Sequence, residues 1–343
     1  MSIVSNKPTI TRKELEGVLD CLINDELTSG EAVKIFEKAL CELTGYKNSV
    51  AINSATSAYH LAFTALGIEE GDEIILPSYF SSHALNAIKI CRAIPVLIDI
   101  DDNSLSASPD KYAIKINDKT KAIIMGHTGG IYIDSSSFKE LTVPVIEDIS
   151  HCIGIESKEG NEGYFGSIAV CSFSPNDMIT TGNGAAVFTN NTRFYSTIRE
   201  KRYNEETTHF DYSMTDFQAA MGISQISRIQ DFIRRRIEIA KIYYDRVRLT
   251  QHSVLLPFSS DYIYQSFPVI FDATYDKIVK FFKKNGIELY SPVPKPLHSY
   301  LNLKGMDYPN SDRMCKKMFS LPIYPTLTKN EIEKIGRTVA KFI

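Results

Sequence analysis

Short runs of β-branched and other apolar residues recur along the first half of the chain, and each is followed by a polar turn and a segment with apolar positions at helical spacing. Residues 49–52 read as a buried strand and 54–66 as a helix. Residues 73–76 read as a strand closed by Pro77, and 94–98, 122–125 and 143–146 as further strands. This repeated strand–helix order predicts an α/β fold with a mostly parallel sheet flanked by helices on both faces. Residues 167–173 and 185–189 are two more strands, separated by a polar loop containing Gly182 and Gly184. From 214 to about 246 the pattern is helical throughout, long enough for a spine between two parts. Beyond it the order changes to a strand at 262–271, a helix at 276–285 and a strand at 287–290. A loop with Pro292, Pro294 and Pro296 follows, then two helices running to 343. The expected organisation is a large domain over 1–246 and a smaller C-terminal α+β domain over 247–343.

Composition narrows the function classes. With 343 residues, 43% of them hydrophobic, the chain can bury a sizeable core. A net charge of -3, without a dense Lys/Arg block, points away from nucleic acid. Arg234-Arg235-Arg236, inside the helical spine, reads as a solvated face. No apolar stretch reaches the length of a membrane span, and residues 1–11 lack the apolar core of a signal peptide. Six scattered cysteines without a CxxC pair read as reduced core residues of a cytoplasmic protein, with no metal site.

Two segments carry candidate chemistry. Asn53-Ser54-Ala55-Thr56-Ser57-Ala58 lies where a strand passes into a helix. Such a turn aims backbone N–H groups and small hydroxyls at a phosphate, or simply caps the helix. Val145-Ile146-Glu147-Asp148-Ile149-Ser150-His151 puts a carboxylate and an imidazole at the end of a strand, for chemistry or for capping and a buried hydrogen bond.

Together with Leu27-Thr28-Ser29-Gly30, Gly71-Asp72-Glu73, Pro77-Ser78, Asp216-Phe217-Gln218-Ala219-Ala220-Met221-Gly222, Pro296-Leu297-His298 and Ser320-Leu321-Pro322-Ile323-Tyr324-Pro325, these segments resemble the DegT/DnrJ/EryC1/StrS sugar aminotransferase family, in order and over nearly the whole chain. The resemblance implies the fold-type I aminotransferase fold, pyridoxal phosphate (PLP) as cofactor, and a homodimer with its sites at the subunit interface. Residue by residue, Asp148 takes the place of the carboxylate that pairs with the cofactor's pyridinium nitrogen. His151 falls beside the ring hydroxyl, and Thr56, Ser57 and Ser172 fall in the rest of the cofactor cradle. Asp211 stands where the family has an Asn that donates to the partner subunit's cofactor phosphate.

The segment Ser172-Phe173-Ser174-Pro175-Asn176-Asp177-Met178-Ile179-Thr180-Thr181-Gly182-Asn183-Gly184 departs from the family pattern Ser-Phe-His-x-x-Lys-x-Ile/Leu-x-x-Gly-Glu-Gly-Gly. The lysine position is Asp177, and a carboxylate cannot make the carbon–nitrogen bond to the cofactor's aldehyde. Ser81 stands where the family stacks an aromatic ring, with Tyr79 and Phe80 beside it, and Ser213 and Asn183 replace the family's Arg and Glu. The resemblance implies a nucleotide-linked keto-sugar as ligand, in sugar or polysaccharide biosynthesis. Four readings remain open. The first is a dehydratase using pyridoxamine phosphate (PMP), with Asp177 as acid or base and His83, His127, His151 and His298 as candidate helpers. The second is a non-catalytic member that binds a sugar nucleotide or serves as a partner subunit. The third is an ordinary aminotransferase with a displaced lysine, Lys158 or Lys295. The fourth is cofactor-free acid–base chemistry by Asp177, His151 and Asp148.

Overall fold

The computed structural model describes residues 2–102, 104–133, 135–155, 164–203 and 210–342. Seven strands form the main sheet: β1 (Asn48–Ile52), β2 (Glu73–Pro77), β3 (Ile94–Ile98), β4 (Thr120–Gly126), β5 (Val145–Asp148), β6 (Ile168–Ser172) and β7 (Ala185–Thr189). Their spatial order is β1-β7-β6-β5-β4-β2-β3. The strands from β3 to β6 pair in parallel, and β7 runs antiparallel to both β6 and β1. Helices α1 (Arg12–Ile23), α2 (Glu31–Thr44), α3 (Ala55–Leu66), α4 (Ser82–Ile90), α5 (Pro109–Ala113), α6 (Thr192–Arg202), α7 (Asp216–Ile226) and α8 (Ile229–Val247) accompany it. A second, antiparallel sheet is ordered β10-β9-β8, from β8 (Ser253–Val254), β9 (Phe267–Ile270) and β10 (Met318–Leu321). The remaining helices are α9 (Tyr275–Lys284), α10 (Leu297–Tyr300), whose Leu297 packs into the core of the main sheet, α11 (Pro309–Lys317) and α12 (Lys329–Lys341).

The central strands read as continuous apolar runs because both faces are covered. On one face Ile146, Ile168 and Val170 pack with Tyr59 and Phe63 of α3 and with Leu85 of α4. On the other, Ala169, Cys171 and Phe188 pack with Phe36 and Leu40 of α2 and Ala219 of α7. The predicted mostly parallel sheet between helical layers is therefore the observed one. A further core joins α8 to the second sheet through Ile239, Tyr243, Phe267, Val269 and Phe319.

Five expectations need correction. The stretch from 297 onward is not two helices but α10, α11 and α12, with strand β10 between the last two. The helical spine is two helices, broken at Ser227 and Arg228, where Arg228 leaves the helical region (φ -121°, ψ 7°). The Ser227 hydroxyl donates to the Ser224 carbonyl at 2.9 Å, and the Arg228 guanidinium turns back to pair with Glu14 of α1. Residues 262–266 are not strand, and Tyr264 sits at φ 50°. Residues 287–290 make only two single bridges, Ile287 to Ile3 and Tyr290 to Ser320. Finally, Arg236 is not on a solvated face. It is 3% exposed, and its guanidinium donates to the carbonyls of Tyr264, Gln265 and Ile323. Burial pushes its pKa down to about 10, which leaves it charged at neutral pH.

Candidate functional site

A cavity of about 210 Å³ opens where Gly126, Asp148 and Ser172 end β4, β5 and β6. This is the carboxyl edge of a parallel sheet, the usual place for a ligand in such a fold. Ala55, in the first turn of α3, lines it, as do Tyr290 and the 292–295 loop.

Asp148 is held from two sides. The Tyr59 hydroxyl donates to its Oδ2 at 2.5 Å, and the Ser150 amide donates to its Oδ1 at 2.9 Å. Each oxygen keeps a lone pair for a further donor. The chain turns after β5 rather than entering a helix, which brings His151 alongside. His151 Nδ1 accepts the Gly129 amide at 3.0 Å, so the ring proton is on Nε2. That nitrogen lies 3.8 Å from Asp177 Oδ1.

Asp177 sits in the loop from β6 to β7 with its side chain 7% exposed. Its Oδ2 accepts both the amide and the hydroxyl of Ser174 at 2.7 Å, while its own amide donates back to the Ser174 carbonyl at 3.1 Å. The carboxylate thus closes a reciprocal turn. The neighbouring Asn176 carbonyl is held from outside by Asn6 Nδ2 at 3.0 Å and Gln265 Nε2 at 2.9 Å. Burial pushes the Asp177 carboxyl above its ordinary range, against the pull of His151 and of the Ser174 and Ser172 hydrogen bonds. Burial and the charge of Asp177 also push the Tyr290 hydroxyl up to about 12, which keeps it protonated.

The structure therefore brings Asp148, His151, Ser172 and Asp177 to one cavity. Thr56 and Ser57, in the first turn of α3, are not among its lining residues. The Ser54 hydroxyl caps that turn by accepting the Ser57 amide at 3.2 Å, and Thr56 Oγ1 bonds His83 Nδ1 at 3.0 Å. Asp211 is exposed and does not line this chain's cavity; its Oδ1 accepts the Ser213 amide. Phe80 and Ser81 both line the cavity, whereas Tyr79 is buried in a separate core with Met314 and Met318. Phe80 presses its ring on Gly126, where an added Cβ would fall 2.5 Å from Cε2.

Of the candidate helper histidines, His83, His127 and His151 line the cavity and His298 does not. His298 is buried between Ser78 Oγ at 2.7 Å and Asp312 Oδ1 at 3.1 Å, with its ring stacked on Tyr308. His127 is likewise committed, with Nε2 on Glu147 Oε1 at 2.9 Å and Nδ1 accepting the Ile133 amide. Burial would raise the Glu147 pKa, but the His127 bond and charge and the amides of Gly166 and Phe165 hold it below its ordinary value. Lys158 lies outside the described residues, and Lys295 lines the cavity with Nζ 4.3 Å from the centre of the Tyr300 ring.

Sequence reasoning missed Tyr59, Gly126 and Tyr290 as parts of the site, and nothing in their local sequence marks them. It also missed the turn that Asp177 closes, for which a signal exists: Ser174-Pro175-Asn176-Asp177 has the Ser-x-x-Asp spacing of a reciprocal cap.

Comparison with known proteins agrees with this architecture. Residues 8–340 match the model of the DegT/DnrJ/EryC1/StrS aminotransferase family. A GDP-perosamine synthase of Vibrio cholerae is 28% identical over 361 residues, covering 98% of each chain. A GDP-perosamine synthase of Escherichia coli O157:H7 is 35% identical over 251 residues, covering 69% of each. The PMP-form structure of Spr1654 from Streptococcus pneumoniae superposes with a TM-score of 0.91 at 22% identity, covering 100% of this chain and 98% of that one, which shows a shared fold. The same protein is also solved in a PLP-form. With a fold-type I architecture and a family match spanning almost its full length, the chain belongs to the DegT/DnrJ/EryC1/StrS aminotransferase family.

Proposed function

We propose that this chain acts on a nucleotide-linked keto-sugar as a PMP-type dehydratase, holding its cofactor without a covalent bond and using Asp177 as the proton carrier. The observation that carries the reading is the pairing of Asp177 with a histidine of fixed tautomer. Because Nδ1 of His151 already accepts an amide proton, the ring donates through Nε2 and does not itself shuttle protons. The group left to change protonation is the Asp177 carboxyl, which burial pushes above its ordinary range. Oδ2 is tied to Ser174, so Oδ1 is the oxygen that gives a proton to a departing sugar hydroxyl.

The residues present fit a phosphorylated pyridine cofactor. The Asp148 carboxylate matches a ring N–H, and the amino-terminal turn of α3, where Ala55 lines the cavity, matches a phosphate through its backbone N–H groups. Phe80 supplies an apolar wall. When bound, such a cofactor supplies an amine and an electron sink. Tyr59 keeps Asp148 oriented.

Equilibrium dialysis with PMP and PLP, borohydride treatment and incubation with nucleotide-linked keto-sugars test the reading. Retained PMP, no borohydride-fixed PLP and loss of one water from the sugar are expected, with turnover abolished but PMP kept in Asp177→Asn. PLP fixed to a lysine of this chain would instead restore the ordinary aminotransferase reading. The Ser174–Asp177 bonds favour one second reading, in which Asp177 only closes its loop and the chain binds a sugar nucleotide without turnover. In that case PMP-loaded protein binds sugar and releases no water from it.

A further inference from the structure

Among the described residues lining the cavity, Lys295 is the only lysine or arginine. The carboxylates facing the same space, Asp148 and Asp177, repel an anionic ligand unless a cation offsets them. Lys295 lies between Pro294 and Pro296, whose rings fix their own φ and stiffen the loop that lines the cavity. Its ammonium rests 4.3 Å from the centre of the Tyr300 ring, and Tyr300 lines the cavity too. A ring face at that distance steadies the cation without neutralising it. No carboxylate of the described residues pairs with it, unlike Lys316, which lies 3.0 Å from Asp312. The side chain is exposed, whereas lysines that act as nucleophiles are desolvated.

We propose that Lys295 is the anion clamp of this site: its ammonium, carried on Tyr300, binds the diphosphate of a nucleoside diphosphate sugar at the cavity mouth and directs the sugar toward Asp177. This rests on the sugar-nucleotide reading above. It assigns Lys295 a binding role in place of the covalent role that a displaced lysine has. The charge of the ammonium matters more than its shape, so arginine substitutes for it and a neutral side chain of similar length does not.

Calorimetric titration of the full chain, supplied with PMP, separates the possibilities. The ligands are UDP, GDP and dTDP, each against its own nucleoside, with Lys295→Met and Lys295→Arg beside the natural protein. Loss of a charge-assisted contact predicts diphosphate binding weaker by about tenfold to a hundredfold in Lys295→Met, nucleoside binding unchanged, and Lys295→Arg within roughly threefold of the natural protein. Equal diphosphate affinity in Lys295→Met overturns the clamp while leaving the sugar-nucleotide reading intact. No binding of any of the three diphosphates by the natural protein sinks the sugar-nucleotide reading and the clamp with it. A borohydride-fixed PLP on Lys295 also overturns the clamp. PMP retention in the same samples stays constant across the variants if the clamp acts on the nucleotide alone.

Discussion

Replacing Asp177 by lysine puts back the residue type that the family uses, yet the structure predicts a damaged loop rather than a repaired site. The carboxylate accepts two hydrogen bonds from Ser174, each 2.7 Å long, in a position where the side chain is 7% exposed. Bonds onto a charged acceptor contribute about 1.5–3 kcal/mol each. A lysine loses both, leaves the Ser174 amide without its acceptor, and puts an ammonium where the carboxylate was. The expected loss is roughly 3–5 kcal/mol. Asp177→Asn keeps a carbonyl oxygen for Ser174 and gives up only the charge assistance, so it should stay within about 1 kcal/mol of the natural protein. The chain has no tryptophan, so urea unfolding is followed by far-UV circular dichroism. An Asp177→Lys protein as stable as the natural one, or an asparagine variant as damaged as the lysine variant, refutes the staple. The pH dependence supplies an internal check. Burial raises the folded-state pKa of Asp177 above its ordinary 3.8, so its favourable contribution is complete below that value and is lost as pH rises through the folded pKa. The asparagine variant therefore gains on the natural protein between acid and neutral pH.

Three further outcomes follow from the packing and the buried charges. Gly126→Ala drives a methyl to 2.5 Å from Phe80 Cε2 and should cost about 1–3 kcal/mol in urea unfolding, partly recovered by Phe80→Leu in the same chain. Glu147→Gln should destabilise at neutral pH, and the gap to the natural protein should close as pH falls below the ordinary 4.5, because the depressed pKa of Glu147 contributes stability only above that range. Arg236→Met strips three carbonyls of their shared donor and should lower stability by roughly 3–5 kcal/mol in urea unfolding, with Arg236→Lys intermediate.

The strands of the main sheet were legible because burial on both faces writes them as unbroken apolar runs, as in Ile168-Ala169-Val170-Cys171. The same apolar periodicity hid the break between α7 and α8, since it resumes at Ile229, and the break is marked by contacts distant in sequence, those of Arg228 with Glu14 and the Thr9 carbonyl. Arg236 was unreadable for a related reason. Its three acceptors come from residues 264, 265 and 323, and no local pattern announces their meeting. At the site, the motif positions Asp148, His151, Ser172 and Asp177 did converge, because they follow the ends of adjacent strands. What the motif could not convey was the hydrogen-bond traffic around them. The tautomer of His151 is set by an amide of Gly129, and the hydroxyl of Tyr59 reaches Asp148 from α3.

The bridge between Ile3 and Ile287 has a bearing on how the chain folds during synthesis. The Ile3 amide donates to the Gly286 carbonyl, and the Glu288 amide donates to the Ile3 carbonyl. At about 5–20 residues per second, the segment around Ile3 waits roughly 15–60 s for these partners. During that interval the main sheet can already close, while Asn6 reaches Asn176 without the help of Gln265. The loop bearing Asp177 is then braced from one side only, and it acquires its final stiffness late, when the closing segment arrives. A nascent chain halted before residue 265 should show that loop open to protease while β1 to β7 resist it.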